Sequence, residues 1–222
     1  MDFRPVALGL SVIGMLTCAS RHYTIRIGES FFHSIPQRAT SGRSAIERAR
    51  ADSVIEAIGI YNAKLDVVGK HPLLCFYSQE NGKLFIPLST PLAYAHGSLI
   101  QIQGRVLDSS ITYPFVNKTQ HYRCLKVRSS RLQQDNQKIL AAVNRHYQQL
   151  KLELQTRSRI EGSKLQFADN PDWDIWWDGQ RNVLIFSSHQ ADLMYAADID
   201  FVVDASSGKL TEIFASQWFK GE

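Results

Sequence analysis

Between Val54 and Arg128 the chain is written as five short β-rich runs, VIEAIGIYNAKL, PLLCFYS, KLFIPL, SLIQIQGRVLD and HYRCLKV, each followed by a turn signal or a loop. The separators are Val68-Gly69-Lys70, Asn81-Gly82, Pro91 with Gly97, and a longer loop through Pro114. Five short strands with turns at this spacing predict a small barrel or sandwich. Asn81-Gly82, between FYSQE and KLFIPL, is the sharpest local signal, because both positions tolerate the positive φ of a two-residue hairpin turn.

One of these runs carries a resemblance. GSLIQIQGRVLD, Gly97 to Asp108, resembles the G-x-x-I-x-V-x-G-x-V pattern of small secreted OB-like barrels, in which a glycine lets the strand bend around the barrel. The resemblance implies a barrel over residues 54–130. Ile100, Ile102, Gly104 and Val106 then share its inner face, and Gln101, Gln103 and Arg105 the outer one.

Residues 131–222 are written differently. Leu132, Ile139, Val143, Tyr147, Leu150 and Leu154 recur at spacings of three, four or seven, which predicts a helix with one apolar stripe. After Gly162 the text turns to strands: KLQFA, DWDIWW, NVLIF, DIDFVVD and KLTEIFASQWF. A helix ahead of an antiparallel meander is similar to cystatin-like and NTF2-like domains, and DIDFVVDASSGKLTEI resembles the V-D-A-x-x-G-K hairpin of secreted PepSY domains. The expected fold class is therefore α+β, with a small OB-like β-barrel followed by a helix packed on an antiparallel β-meander.

Within that half, DNPDWDIWWDGQ crowds four aspartates and three tryptophans into twelve residues. DWDIWWDG and DIDFVVDA both spell D-x-D-x-x-x-D, a strand pattern that projects Asp172, Asp174 and Asp178, or Asp198, Asp200 and Asp204, to one side. NVLIF should lie between the two acidic strands, about 10 Å from row to row, too far to share one calcium ion. The aspartates are expected to solubilise a sheet face and start its turns. Trp173 and Trp177 should enter the core, while Trp176, on the aspartate side, is expected as an exposed indole able to stack on a ligand. No metal or cofactor is expected.

The first twenty residues hold Arg4, an apolar run from Val6 to Leu16, and then Thr17, Cys18, Ala19 and Ser20. Eleven such residues are too few to span a bilayer in a helix. They match a secretory leader over residues 1–19, the alternative being a buried N-terminal segment. MLTC loosely resembles a bacterial lipobox, which makes Cys18 a lipidation candidate. Removal or acylation of Cys18 leaves Cys75 and Cys124, expected either as a disulfide in an oxidising compartment or as two thiols that never meet. Residues 20–53 read as a basic tether, with a short strand at Tyr23 to Ile27.

Charge is uneven: residues 1–50 hold seven basic and three acidic side chains, residues 51–130 eight and five, and residues 131–222 ten and thirteen. Lys64, Lys70, Arg105, Arg123, Lys126 and Arg128 with Tyr61, Phe76 and Tyr77 raise single-stranded nucleic acid, but the excess is small for a phosphate-tracking groove and export argues against it. Catalytic motifs such as G-x-S-x-G, H-E-x-x-H and C-x-x-C are missing from the sequence. The expected function is non-catalytic binding of a protein or an envelope polymer by a periplasmic or secreted protein, with Trp176, Tyr61, Tyr77 and Arg105 as binding residues. The alternative is an immunity protein or inhibitor of a secreted toxin or hydrolase.

Overall fold

The computed structural model describes residues 23–32, 43–63, 71–115 and 118–220, and does not describe the side chains of residues 43 and 109–121. The leader expected at 1–19 and the lipidation expected at Cys18 lie outside the described residues. In chain order the elements are β1 (Thr24–Ile27), β2 (Arg43–Ser44), β3 (Val54–Asn62), β4 (Leu73–Ser78), β5 (Gly82–Pro87), β6 (Leu99–Phe115), β7 (Lys118–Gln134), α1 (Gln137–Ser158), β8 (Asp174–Asp178), β9 (Val183–Ala191), β10 (Tyr195–Asp204) and β11 (Leu210–Phe219).

The strands belong to one mixed sheet in the order β1-β11-β10-β9-β8-β4-β3-β6-β7, with β5 on β4 and β2 on β5. Strands β3 to β7 curl in the order β5-β4-β3-β6-β7 until the two outer members, β5 and β7, meet and close a ring. β3 lies antiparallel between β4 and β6, and β5 and β7 flank these. Just past β5, a parallel bridge joins Leu88 to Leu125, and the Ser89 N–H donates to the Leu125 carbonyl at 3.0 Å. Inside the ring lie Tyr61, Leu74, Ile86, Ile100, Ile102 and Leu125, with Ile46 packed against them. Gln103 on β6 faces solvent, and Gln101 and Arg105 are half-buried.

The expected α+β fold class is overturned by the continuity of this sheet. Among the described residues strand far outweighs helix, and α1 is the single helix. The ring is not a separate barrel: β4 pairs in parallel with β8 at Tyr77 and Asp178, which joins the ring to the antiparallel run β8-β9-β10-β11. The reason is written in PLLCFYS. Its residues are apolar on both sides, and β4 is buried along nearly all its length, as a strand covered on both faces must be. Leu74 turns into the ring, while Leu73, Cys75 and Tyr77 turn outward into an aromatic seam with Phe31, Phe32, Trp176 and Phe214.

The segment expected as a tether supplies part of that seam. β1 runs parallel to β11, with Thr24 opposite Glu212 and Ile27 opposite Ala215, and Phe31 and Phe32 are buried. Ser44, also within that segment, pairs in β2 opposite Phe85 of β5. Helix α1 sets Val143, Tyr147, Leu150 and Leu154 against Trp173, Phe186 and Phe201. Leu132 is not part of it; β7 persists to Gln134, so Leu132 lies opposite Ile100. The loop expected through Pro114 is also strand. β6 and β7 stay paired from Ser110 opposite Arg123 to Phe115 opposite Lys118, beyond Arg105, where β3 stops. Proline is admissible there because only one edge of each arm strand is paired.

The disulfide is a further correction, because Cys75 and Cys124 are free, buried thiols. β5 separates β4 from β7 around the ring, so two strand spacings, about 10 Å, part their backbones. A disulfide needs Cα atoms within about 7 Å. Burial pushes the Cys124 thiol up to about 11, and burial followed by the nearby Asp174 charge pushes Cys75 higher still.

Two expectations follow. Native alkylation at pH 8 should leave Cys75 and Cys124 unmodified, and both should label fully in denaturant without reductant, as read by intact mass. Gly104 sits where the β6–β7 register shifts, and an added Cβ would lie 2.7 Å from Leu125 Cγ and 2.8 Å from the Lys126 carbonyl oxygen. Gly104→Ala should therefore lower the urea-unfolding free energy by about 1–3 kcal/mol.

Candidate functional site

The acidic trios resolve into structural roles that differ from one position to the next. The last member of each is a turn cap. Asp178 accepts the N–H groups of Gln180 and Arg181 at 3.0 and 3.1 Å between β8 and β9, and its other oxygen takes Arg181 Nε at 2.7 Å. Asp204 accepts Ser207 N–H at 2.7 Å between β10 and β11, where Gly208 adopts a φ of 68°. The intervening β9–β10 turn has its own cap, Asp192, so every reversal of this antiparallel run is closed by an aspartate.

Asp200, the middle member of the second trio, is fully buried. It accepts Ser187 Oγ at 2.6 Å, Ser30 Oγ at 3.1 Å and the Phe31 N–H at 2.9 Å. Burial pushes its carboxyl up, and the Ser187 hydroxyl is the leading opposing influence. β9 does lie between the two acidic strands, with Ser187 opposite both Asp174 and Asp200. Asp198 bonds His189 Nδ1 at 2.8 Å on the same face. Among the described residues no group of three or more His, Cys, Asp or Glu is placed to hold a metal ion.

Trp176, expected as an exposed stacking residue, is only 8% exposed. Its ring meets Phe32 edge-on at 6.5 Å, and the Lys83 ammonium lies 5.3 Å from it. The alternation placed it on the aspartate side correctly, but that side is covered by residues from the opposite end of the sequence. Tyr77 is buried in the same seam, and Tyr61 points into the ring, where its hydroxyl donates to the Leu92 carbonyl and accepts the Leu92 N–H. None of these three rings is presented to a ligand. In barrels of the type the sequence resembles, the second and third strands receive oligomeric ligands; here the outward side of β4 and β5 is filled by the seam. Arg105 remains half-exposed and pairs with Asp52 at 3.2 Å.

Among the described residues, two surfaces on the sheet are open. Across β3, β6 and β7 runs a shallow polar depression lined by Glu56, Gln101, Gln103, Ser129, Ser130 and Arg131. Its side chains are partly committed already: Gln103 Nε2 donates to Glu56 at 2.9 Å and Gln133 Nε2 to Gln101 at 3.1 Å.

The other surface is apolar and was missed by the strand pattern. At the β9–β10 turn Leu193 is 97% exposed and Met194 53%, beside Phe219 at 55%. The turn is held by five hydrogen bonds. Asp192 Oδ1 accepts the N–H groups of Met194 and Tyr195 at 2.8 and 2.6 Å, and Asp192 N–H donates to the Tyr195 carbonyl at 3.0 Å. Lys220 adds its N–H to the Met194 carbonyl at 2.8 Å and its ammonium to the Asp192 carbonyl at 2.6 Å. The Tyr195 and Met194 N–H groups hold the Asp192 carboxyl below its ordinary range. The signal was ADLMYA, two large apolar residues where a turn ordinarily takes polar ones.

No described helix is long and apolar enough to cross a membrane. Comparison with protein-family models, with curated proteins and with solved structures finds no match to this chain.

Asp200 gives a test of the buried face. Asp200→Ala strands the Phe31 N–H and two hydroxyls, and should lower stability by about 1–3 kcal/mol in urea unfolding. The raised carboxyl contributes stability that is fully present below the ordinary carboxylate value of 3.8 and lost as pH rises through its folded value. Wild type should thus lose stability relative to Asp200→Asn as pH is raised from 4 to 7.

Proposed function

We propose that this chain is a non-catalytic binding protein of the bacterial envelope, and that its partner is a protein engaged at the Leu193 turn. The observation that carries this reading is a fully solvated leucine on a turn made rigid by five hydrogen bonds. Apolar patches rimmed by polar groups mark contact surfaces, and a large side chain held in place loses little entropy when a partner covers it. The rim here is Asp192, Gln190 and Lys220. The apolar run from Val6 to Leu16 with its small-residue end supports export.

The narrower reading, an inhibitor or immunity protein acting on a secreted toxin or hydrolase, is favoured by the shape of the same feature. A convex, rigid apolar turn fits a cleft better than a flat surface. Polymer binding at the β3–β6–β7 depression has less behind it, since Gln103 already bonds Glu56 and Gln101 already accepts Gln133.

The test is capture from envelope extract with protein lacking residues 1–19, comparing wild type with Leu193→Asp/Met194→Asp. Burying one such side chain is worth about 1.5–3 kcal/mol, so recovery of a stoichiometric protein partner should fall at least tenfold while the melting temperature stays unchanged. Undiminished recovery by the double variant, or retention of a polysaccharide that Gln101→Ala/Gln103→Ala abolishes, would refute the assignment.

A further inference from the structure

A groove of about 720 Å³ runs along the outer side of α1, walled by Lys151, Leu152, Gln155, Thr156 and Arg159 on the helix and by Lys164, Leu165 and Gln166 on the chain that follows. Its floor is built. Gln155 reaches across with Nε2 to the Leu165 carbonyl at 3.0 Å and accepts the Phe167 N–H at 2.7 Å, so one glutamine ties the extended segment to the helix as a neighbouring strand would. Lys151, Gln155 and Arg159 follow at four-residue intervals and form one row on the helix, with Leu152 and Thr156 in the next.

The lining is unusual for this half of the molecule. Residues 131–222 carry thirteen acidic against ten basic side chains, yet the groove is lined by three cations and no carboxylate among the described residues. Lys151 is shared with Asp169 at one end. At the other end, among the described residues, Arg159 commits only Nε, to the Ser163 carbonyl at 3.0 Å, and Lys164 is exposed. Leu152, 79% exposed, sits toward the Lys151 end, and Leu165 lies level with Gln155, to which its carbonyl is bonded.

We propose that this groove binds an extended acidic segment of a protein partner, with a carboxylate on Arg159 and Lys164, a second toward Lys151, and an aliphatic side chain between Leu152 and Leu165. From Lys151 to Arg159 the helix rises about 12 Å, the length of roughly four extended residues. Cations at both ends with two leucines along the wall between them match a peptide that alternates acidic and aliphatic side chains. A fatty acid has one charged end and a tail that needs enclosure, which an open groove with two leucines does not provide.

The site is separate from the Leu193 turn, and the experiment keeps the two apart. The full chain is titrated into fluorescein-labelled Glu-Leu-Glu-Leu-Glu, with Lys-Leu-Lys-Leu-Lys as the charge control and dodecanoate as competitor, and anisotropy is read. The acidic peptide should bind, weaken at least tenfold between 50 and 500 mM salt, and weaken at least tenfold in Arg159→Glu/Lys164→Glu. Leu152→Ala should weaken it several-fold, while Leu193→Asp/Met194→Asp should bind it as wild type does. Circular dichroism of each variant confirms the fold. The proposal is overturned if the acidic peptide fails to bind at millimolar concentration, if the lysine peptide binds equally, if dodecanoate displaces it, or if the groove variants bind unchanged.

Discussion

The junction between the two halves of the sheet hangs on one buried carboxylate. Asp200 takes a backbone N–H and two hydroxyls, and two of those donors come from the Ser30–Phe31 stretch that follows β1. Fixing that stretch delivers Phe31 and Phe32 to the place where β4 meets β8. The two strands share a single paired position, Tyr77 with Asp178, so backbone hydrogen bonding contributes little there. Packing supplies the adhesion instead: Phe31 meets Tyr77 and Phe214 edge-on at 5.5 and 5.6 Å, and Phe32 meets Tyr77 at 5.7 Å. Edge-to-face pairs of this kind add about 0.5–1.5 kcal/mol each beyond the area they hide. Cations close the seam from outside, with Lys83 3.8 Å above Phe32 and Arg181 4.8 Å above Phe31.

With the seam closed, the surfaces left for a ligand are those the strands do not need. The ring keeps Tyr61 inside, the junction consumes Trp176 and Tyr77, and the caps consume Asp178 and Asp204. The Leu193 turn and the groove along α1 are both rigid by construction, one through Asp192 and Lys220, the other through Gln155. Both set large apolar side chains in water beside satisfied backbone, an arrangement that burial in this fold does not explain.

Much of the local structure is legible in the sequence because strand alternation and turn chemistry are short-range. A turn does fall at Asn81-Gly82, although it is a three-residue loop, 79–81, between the paired Ser78 and Gly82, with positive φ at Gly82 and not at Asn81; Ile100, Ile102 and Val106 face inward. What is illegible is partnership between distant strands. Nothing near Tyr77 states that Asp178 lies beside it, and nothing near Trp176 states that Phe32 covers it. An indole flanked by aspartates therefore reads as exposed. The doubly apolar β4 and the leucine in a turn were the two local clues that the molecule holds more than a barrel and a separate domain. Counting cysteines misled for the same reason, since a count carries no distance.

One pairing bears on how the molecule comes together. Thr24 of β1 lies beside Glu212 of β11, contacts separated by nearly the whole sequence, and the Gly28 N–H donates to the Ala215 carbonyl at the end of that ladder. Chains are made from the N-terminus, and contacts of long sequence separation are slow to form. β1 therefore waits, unpaired, until β11 has been synthesised. Since the Ser30–Phe31 stretch reaches Asp200 only after β10 exists, closure of the junction comes late in folding, and until then Phe31 and Phe32 have no seam to enter.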